Sequence, residues 1–141
     1  MSDTAASSTK HTKGSAFSGI GPLEADILAI VWERDPQAVS VRDVYERLLE
    51  ERRIAYTTVL TVMGTLHSKG LLARDDSGKA FLYLAAIPGD EVAGTVLDDI
   101  VARLYRGRPQ IALARLLGLE GELTKEQFAA LRAQARVLLE G

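Results

Sequence analysis

Ala55-Tyr56-Thr57-Thr58-Val59-Leu60-Thr61-Val62-Met63-Gly64-Thr65-Leu66-His67-Ser68-Lys69-Gly70 is the stretch whose reading decides the fold. It predicts a helix from about Tyr56 to Lys69, stopped by Gly70. Placing Thr57 at zero and advancing ~100° per residue gathers Val59, Val62, Met63 and Leu66 on one inward arc. Thr57, Thr58, Thr61, Gly64, Thr65 and Ser68 fall on the opposite arc, with Leu60 and His67 at a border. Threonine is a mediocre helix former, and a merely solvated face would carry Glu, Lys or Arg. A slim hydroxyl face without negative charge suits a DNA major groove: hydroxyls bond phosphates or base edges, and threonine methyls pack on thymine methyls. The face has no Arg, Asn or Gln for bidentate base recognition, so specificity would rest on apolar contacts, water and DNA shape.

Working outward, the neighbours complete a pattern. Upstream, Pro22 suits a first helical position, and Leu23, Ile27, Ile30, Val31 and Trp32 recur at helical spacing before Asp35-Pro36. Val39 is a short extended link. Ser40 and Asp43 form a capping box for a second helix with Val41, Val44, Tyr45 and Leu48 on one stripe, which runs out in the polar residues Glu50 to Arg53. Downstream, Leu71–Arg74 and Ala80–Ala85 read as strands around the turn Asp75-Asp76-Ser77-Gly78-Lys79. Helix, helix, helix, hairpin is the order of a winged helix-turn-helix.

After Pro88 the pattern changes. A helix over Asp90–Arg106 carries Val96, Ile100, Val101 and Leu104. A shorter one over Gln110–Leu117 includes Leu113 and Leu117. A third, opened by the Thr124–Gln127 capping box, carries Phe128, Leu131, Ala135 and Leu138. Three helices in some 54 residues bury too little surface to stand alone comfortably, so they either fold back on the first domain or pair with a second copy; pairing is preferred, through Val96, Ile100, Val101, Leu104, Leu113, Leu117, Phe128, Leu131 and Leu138. The fold class is therefore mainly α with a small β-hairpin. Residues 1–19, poor in large apolar side chains, read as a flexible tail that includes Lys10, His11 and Lys13; 20–87 read as a winged helix-turn-helix domain and 88–141 as a helical dimerisation region.

Composition bounds the chemistry. The chain has 141 residues, 47% hydrophobic and 26% charged, the balance of an ordinary globular protein. No apolar run reaches the ~18 residues of a membrane span, and no signal segment opens the chain, so no membrane insertion or export is expected. Cysteine is absent, which excludes disulfides and thiolate chemistry. His67-Ser68 is the sole neighbouring His–Ser pair in the expected fold, and adjacent helical residues do not face each other. No three-ligand metal cluster is visible, so neither an enzyme nor a cofactor is expected.

Net charge is −2, but from Arg52 to Arg74 the chain carries Arg52, Arg53, Lys69 and Arg74 with no acid. The arginine pair before the third helix and the lysine after it would flank its reading surface with phosphate contacts, and the helix's N-terminal amides add an anion site. Lys79 in the turn, Arg74 on its strand and Arg42 at the start of the second helix are further phosphate candidates. Asp75 and Asp76 would oppose contact by the wing. The candidate DNA-binding set is thus Arg42, Arg52, Arg53, Tyr56, Thr57, Thr58, Thr61, Thr65, Lys69, Arg74 and Lys79. A winged helix that docks a protein instead of DNA is the alternative; a steep loss of affinity with salt marks the DNA binder.

Leu23-Glu24-Ala25-Asp26-Ile27-Leu28 with Trp32, Val41-Arg42-Asp43-Val44, Ala55-Tyr56-Thr57-Thr58-Val59-Leu60-Thr61-Val62, Leu66 and Lys69-Gly70-Leu71 resemble the penicillinase-repressor family of the BlaI/MecI type. The resemblance covers about Pro22 to Ala86, and the C-terminal helices in outline. It implies a bacterial, cytoplasmic, homodimeric repressor that binds dyad-symmetric double-stranded DNA operators, with Thr57, Thr58 and Thr61 on the recognition helix. It also implies a link to a membrane sensor protease pathway. Two features depart from the family's patterns. Some members are inactivated by cleavage at an Asn-Phe bond and this chain has no asparagine; copper-responsive relatives carry C-terminal cysteines and this chain has none. Ala55 stands where the family often caps the helix with Ser.

Overall fold

The computed structural model describes residues 19–141; the tail expected to be flexible lies outside them up to residue 18. Helix α1 spans Pro22–Arg34, strand β1 Val39–Ser40, α2 Val41–Leu49, α3 Tyr56–Ser68, β2 Leu72–Asp75, β3 Leu82–Ala85, α4 Gly89–Leu104, α5 Pro109–Leu116 and α6 Lys125–Glu140. The chain divides into two compact units, one up to Val96 and one from Leu97 to Gly141.

The first unit is a winged helix-turn-helix. Pro22 occupies the first turn of α1, where its missing N–H costs nothing. The Glu24 carboxylate accepts the Gly21 amide at 3.0 Å, satisfying an end donor that has no partner within the helix. At α2 the capping box forms in both directions, Asp43 N–H to Ser40 Oγ and Ser40 N–H to Asp43 Oδ2, each at 3.0 Å. Helix α3 ends in a Schellman motif: Leu71 N–H reaches Leu66 O at 3.0 Å while Gly70 takes φ +82°, a conformation that costs glycine nothing. Ile27, Leu28 and Val31 of α1, Val44 and Leu48 of α2, and Val59, Met63 and Leu66 of α3 close over Val39, Leu72 and Tyr83 of the sheet.

The wing is broader than a hairpin. The sheet has three antiparallel strands in the order β1-β3-β2. Val39 and Arg74 both stand opposite Tyr83, so the segment read as an extended link supplies an edge strand. Its two residues are too few to show alternation, and only pairing with β3 makes them a strand.

The contacts divide the chain later than residue 87, inside α4. Val92 is fully buried in the first unit's core and Val96 packs one turn further along the same stripe. Val96, expected on the pairing face, is therefore held within the first unit.

In the second unit, Thr124 and Gln127 exchange capping bonds at 2.9 and 3.0 Å and open α6 as the sequence implies. Little of this unit is buried: Ala112 and Ala114 are the buried hydrophobic residues, and α6 buries none.

Candidate nucleic-acid interface

Three turns of α3 put Thr57, Thr58, Thr61, Thr65 and Ser68 on the surface while Val59, Met63 and Leu66 are fully buried. The Thr65 hydroxyl donates to the Thr61 carbonyl at 3.1 Å, so its proton is spent within the helix. The hydroxyls of Thr57, Thr58 and Thr61 have no hydrogen bond among the described residues and are free for a ligand. The N-cap residue, Ala55, supplies no side-chain bond, which leaves end amides of α3 without a side-chain partner.

The first turn of α3 is braced from α2. The Tyr56 ring meets Tyr45 edge-on, centroids 5.3 Å apart at 80°, and the Arg42 guanidinium lies 5.5 Å from the Tyr56 centroid. Arg42 also pairs with Glu46 at 3.6 Å. In the wing, the Arg74 guanidinium sits 4.2 Å over the exposed Phe81 ring. Asp75 accepts the Ser77 hydroxyl at 2.7 Å and the Ser77 amide at 3.0 Å, which tightens the turn. Those two bonds hold its carboxyl below the usual carboxylate range.

The cations expected to flank α3 are not equivalent. Arg52 donates to the Asp26 carboxylate. Lys69 Nζ bonds Glu24 at 2.9 and 3.2 Å and the Gly19 carbonyl at 3.5 Å. Burial pushes the Glu24 carboxyl up, but the Gly21 amide and the hydrogen bond and charge of Lys69 together hold it below its ordinary value. Arg53 and Lys79 are exposed and have no ion pair among the described residues. The stretch without acids in sequence is thus met by two carboxylates from α1 in space. The structure joins Arg42 to Tyr56 and sets Arg53 beside Arg52. Lys69 lies at the far end of α3, ~20 Å along its axis from Tyr56.

Sequence reading missed Tyr45, Phe81, Glu24 and Asp26. Tyr45 was placed on the core stripe of α2 and is half-buried against Tyr56. Asp26 and Phe81 act through partners far away or beside the facing strand, which no local spacing signals; Glu24 caps Gly21 three residues away, but its pairing with Lys69 lies 45 residues off and has no local sign.

The second unit is exposed where the sequence expected pairing. Leu104, Leu138 and Leu139 are 76%, 81% and 88% exposed, and Ile100, Leu116, Leu117, Leu131 and Val137 are exposed as well. Val101, Leu113 and Phe128 are half-buried and line an apolar groove of about 430 Å3 with Leu97 and Ala112.

The penicillinase repressor family matches residues 20–136. The chain belongs to that family. The match to the penicillinase repressor family runs from the residue before Gly21 through all of α1 to α5 and most of α6. The chain is 35% identical over 100 residues to the "Transcriptional regulator BlaI" of Mycobacterium tuberculosis, in both strain CDC 1551 / Oshkosh and strain H37Rv, covering 70% of this chain and 71% of each relative. Among solved structures, the Staphylococcus aureus transcription regulator MepR is similar with a TM-score of 0.45 at 14% identity, covering 94% of this chain and 90% of that one. The family is one of transcriptional repressors, not enzymes, the class the sequence reading chose. Among the described residues no helix is long and apolar enough to cross a membrane, and no cluster of three or more His, Asp or Glu is placed to hold a metal.

Proposed function

We propose that this penicillinase repressor family member is a homodimeric, cytoplasmic repressor that lays α3 of each copy in a major groove of a dyad-symmetric operator. One observation carries the reading: α3 exposes an uncharged row of small hydroxyl residues, Thr57, Thr58 and Thr61, whose hydroxyls have no internal partner among the described residues. A solvated face has no use for that composition, and a groove-filling one does. Arg53 at the entry to α3 and Lys79 in the wing supply phosphate contacts; Arg42, Arg74 and Tyr56 offer further ones from positions braced by aromatic rings. The unburied leucines of the second unit support pairing of two copies through α4, α5 and α6, and a dimer sets half-sites about one helical turn or a small multiple apart. Without asparagine the chain offers no Asn-Phe bond for cleavage.

The test is an anisotropy titration of a labelled duplex carrying the dyad-symmetric region upstream of the protein's own gene, against a scrambled duplex, over a series of salt concentrations. Selective, salt-dependent binding by two subunits is expected. Thr57→Ala lowers specific affinity more than nonspecific, while Arg53→Ala lowers both and flattens the salt slope by ~1. Equal losses from both substitutions on every duplex would refute this division of roles. Weak binding without salt dependence would favour the protein-docking alternative.

A further inference from the structure

Resting on the DNA-binding reading, we infer that Asp26 and Glu24 of α1 are affinity-setting residues of the DNA surface, each occupying a cation that a phosphate would otherwise take. Between Arg52 and Arg74 the sequence holds four cations and no acid. The fold brings in two acids from α1, at sequence separations of 26 and 45 residues. Arg52 is paired with Asp26 and Lys69 with Glu24, Arg74 lies over Phe81, and Arg53 alone of the four has no such partner among the described residues.

The two pairs differ in how readily they open. The Arg52 and Asp26 side chains are 39% and 44% exposed, and exposed pairs hold weakly. A phosphate can draw Arg52 away, but the Asp26 carboxylate is then left unpaired close to the DNA backbone, where like charges repel. Lys69 and Glu24 are more enclosed, at 30% and 15%, and Glu24 is also bound to the Gly21 amide. That lysine is committed to joining α1 to the end of α3. At the DNA, Arg53 therefore counts fully, Arg52 in part and Lys69 not at all. Nonspecific affinity comes almost wholly from phosphate contacts. An internal competitor lowers it, and with it the phosphate share of specific affinity, while leaving base-edge contacts from the threonines untouched.

The experiment measures the full-length protein on a mixed-sequence duplex across a salt series, with Asp26→Asn as the main variant; Asp26 is exposed enough that its amide leaves the thermal midpoint nearly unchanged. Binding about three- to tenfold tighter is expected, with the slope of log affinity against log salt steeper by about 0.9, one added phosphate. The gain disappears in the Arg52→Ala background, and Lys69→Met lowers the thermal midpoint without altering the slope. Unchanged affinity and slope in Asp26→Asn would overturn the inference. So would a gain that persists in Arg52→Ala, because Asp26 would then act as a distant charge and not through Arg52. A slope loss in Lys69→Met equal to that of Arg53→Ala would overturn the assignment of Glu24. Failure of the DNA-binding reading shows separately, as no salt-dependent binding by the unmodified protein, and removes this inference with it.

Discussion

A Cβ added at Gly89 would lie 2.7 Å from Cδ2 and 2.8 Å from Cγ of the Trp32 ring. A ring packed against the start of α4 cannot slide away as the tip of a flexible side chain can. Gly89→Ala is therefore expected to destabilise the first unit by about 1–3 kcal/mol, the usual cost of overpacking, read as a lower urea midpoint with an unchanged m-value. Single positions differ in how far the sequence discloses them. The inward residues of α3 were legible because a 3.6-residue period is a local property, and Val59, Met63 and Leu66 are fully buried as that period requires. Gly89 carried no such sign, since its restriction comes from an indole 57 positions earlier in the chain. The same holds for Arg52, Lys69 and Arg74, whose charges were visible but whose partners were not.

At the level of elements, the capping boxes at Ser40 and Thr124 were readable because donor and acceptor lie three residues apart, and both form. The pairing of β1 was not readable, because two residues carry no pattern and their partner lies across the fold. The junction of α1 with the end of α3 adds a dependence on pH. Glu24 in the folded protein titrates below its ordinary value near 4.5, with burial opposing and the Gly21 amide and Lys69 prevailing. A carboxyl lowered on folding contributes stability above its unfolded value, and that contribution is lost as pH falls through the folded one. Glu24→Gln is expected to be less stable than the unmodified protein at neutral pH. The gap should close as acidification passes below the ordinary carboxylate range, as denaturation midpoints at a series of pH values will show. A gap of constant size would mean that the Glu24 charge adds nothing to the junction.

For the molecule as a whole, the two units are built on different terms. The first closes a core of its own around Ile27, Val44, Met63 and Tyr83, and the sequence showed this through stop signals that all agree. The second buries two alanines as its hydrophobic interior and leaves leucines in water along α6. The proposed second copy covering that face would account for both facts. A Leu131→Glu, Leu138→Glu double substitution is expected to yield a monomer by sedimentation equilibrium, with operator affinity reduced at least tenfold, on the order of 1.4 kcal/mol, while the thermal transition of the first unit persists. A dimer of unchanged strength would send the pairing face elsewhere. The composition of α3 has one more consequence. Four threonines, a glycine and a capping position held by alanine make a segment that would not stay helical by itself in water. The proposed reading surface is lent its shape by the buried valine, methionine and leucine on its other side. It cannot be excised as a peptide and still read, and it can be erased without touching a single threonine by loosening what lies beneath.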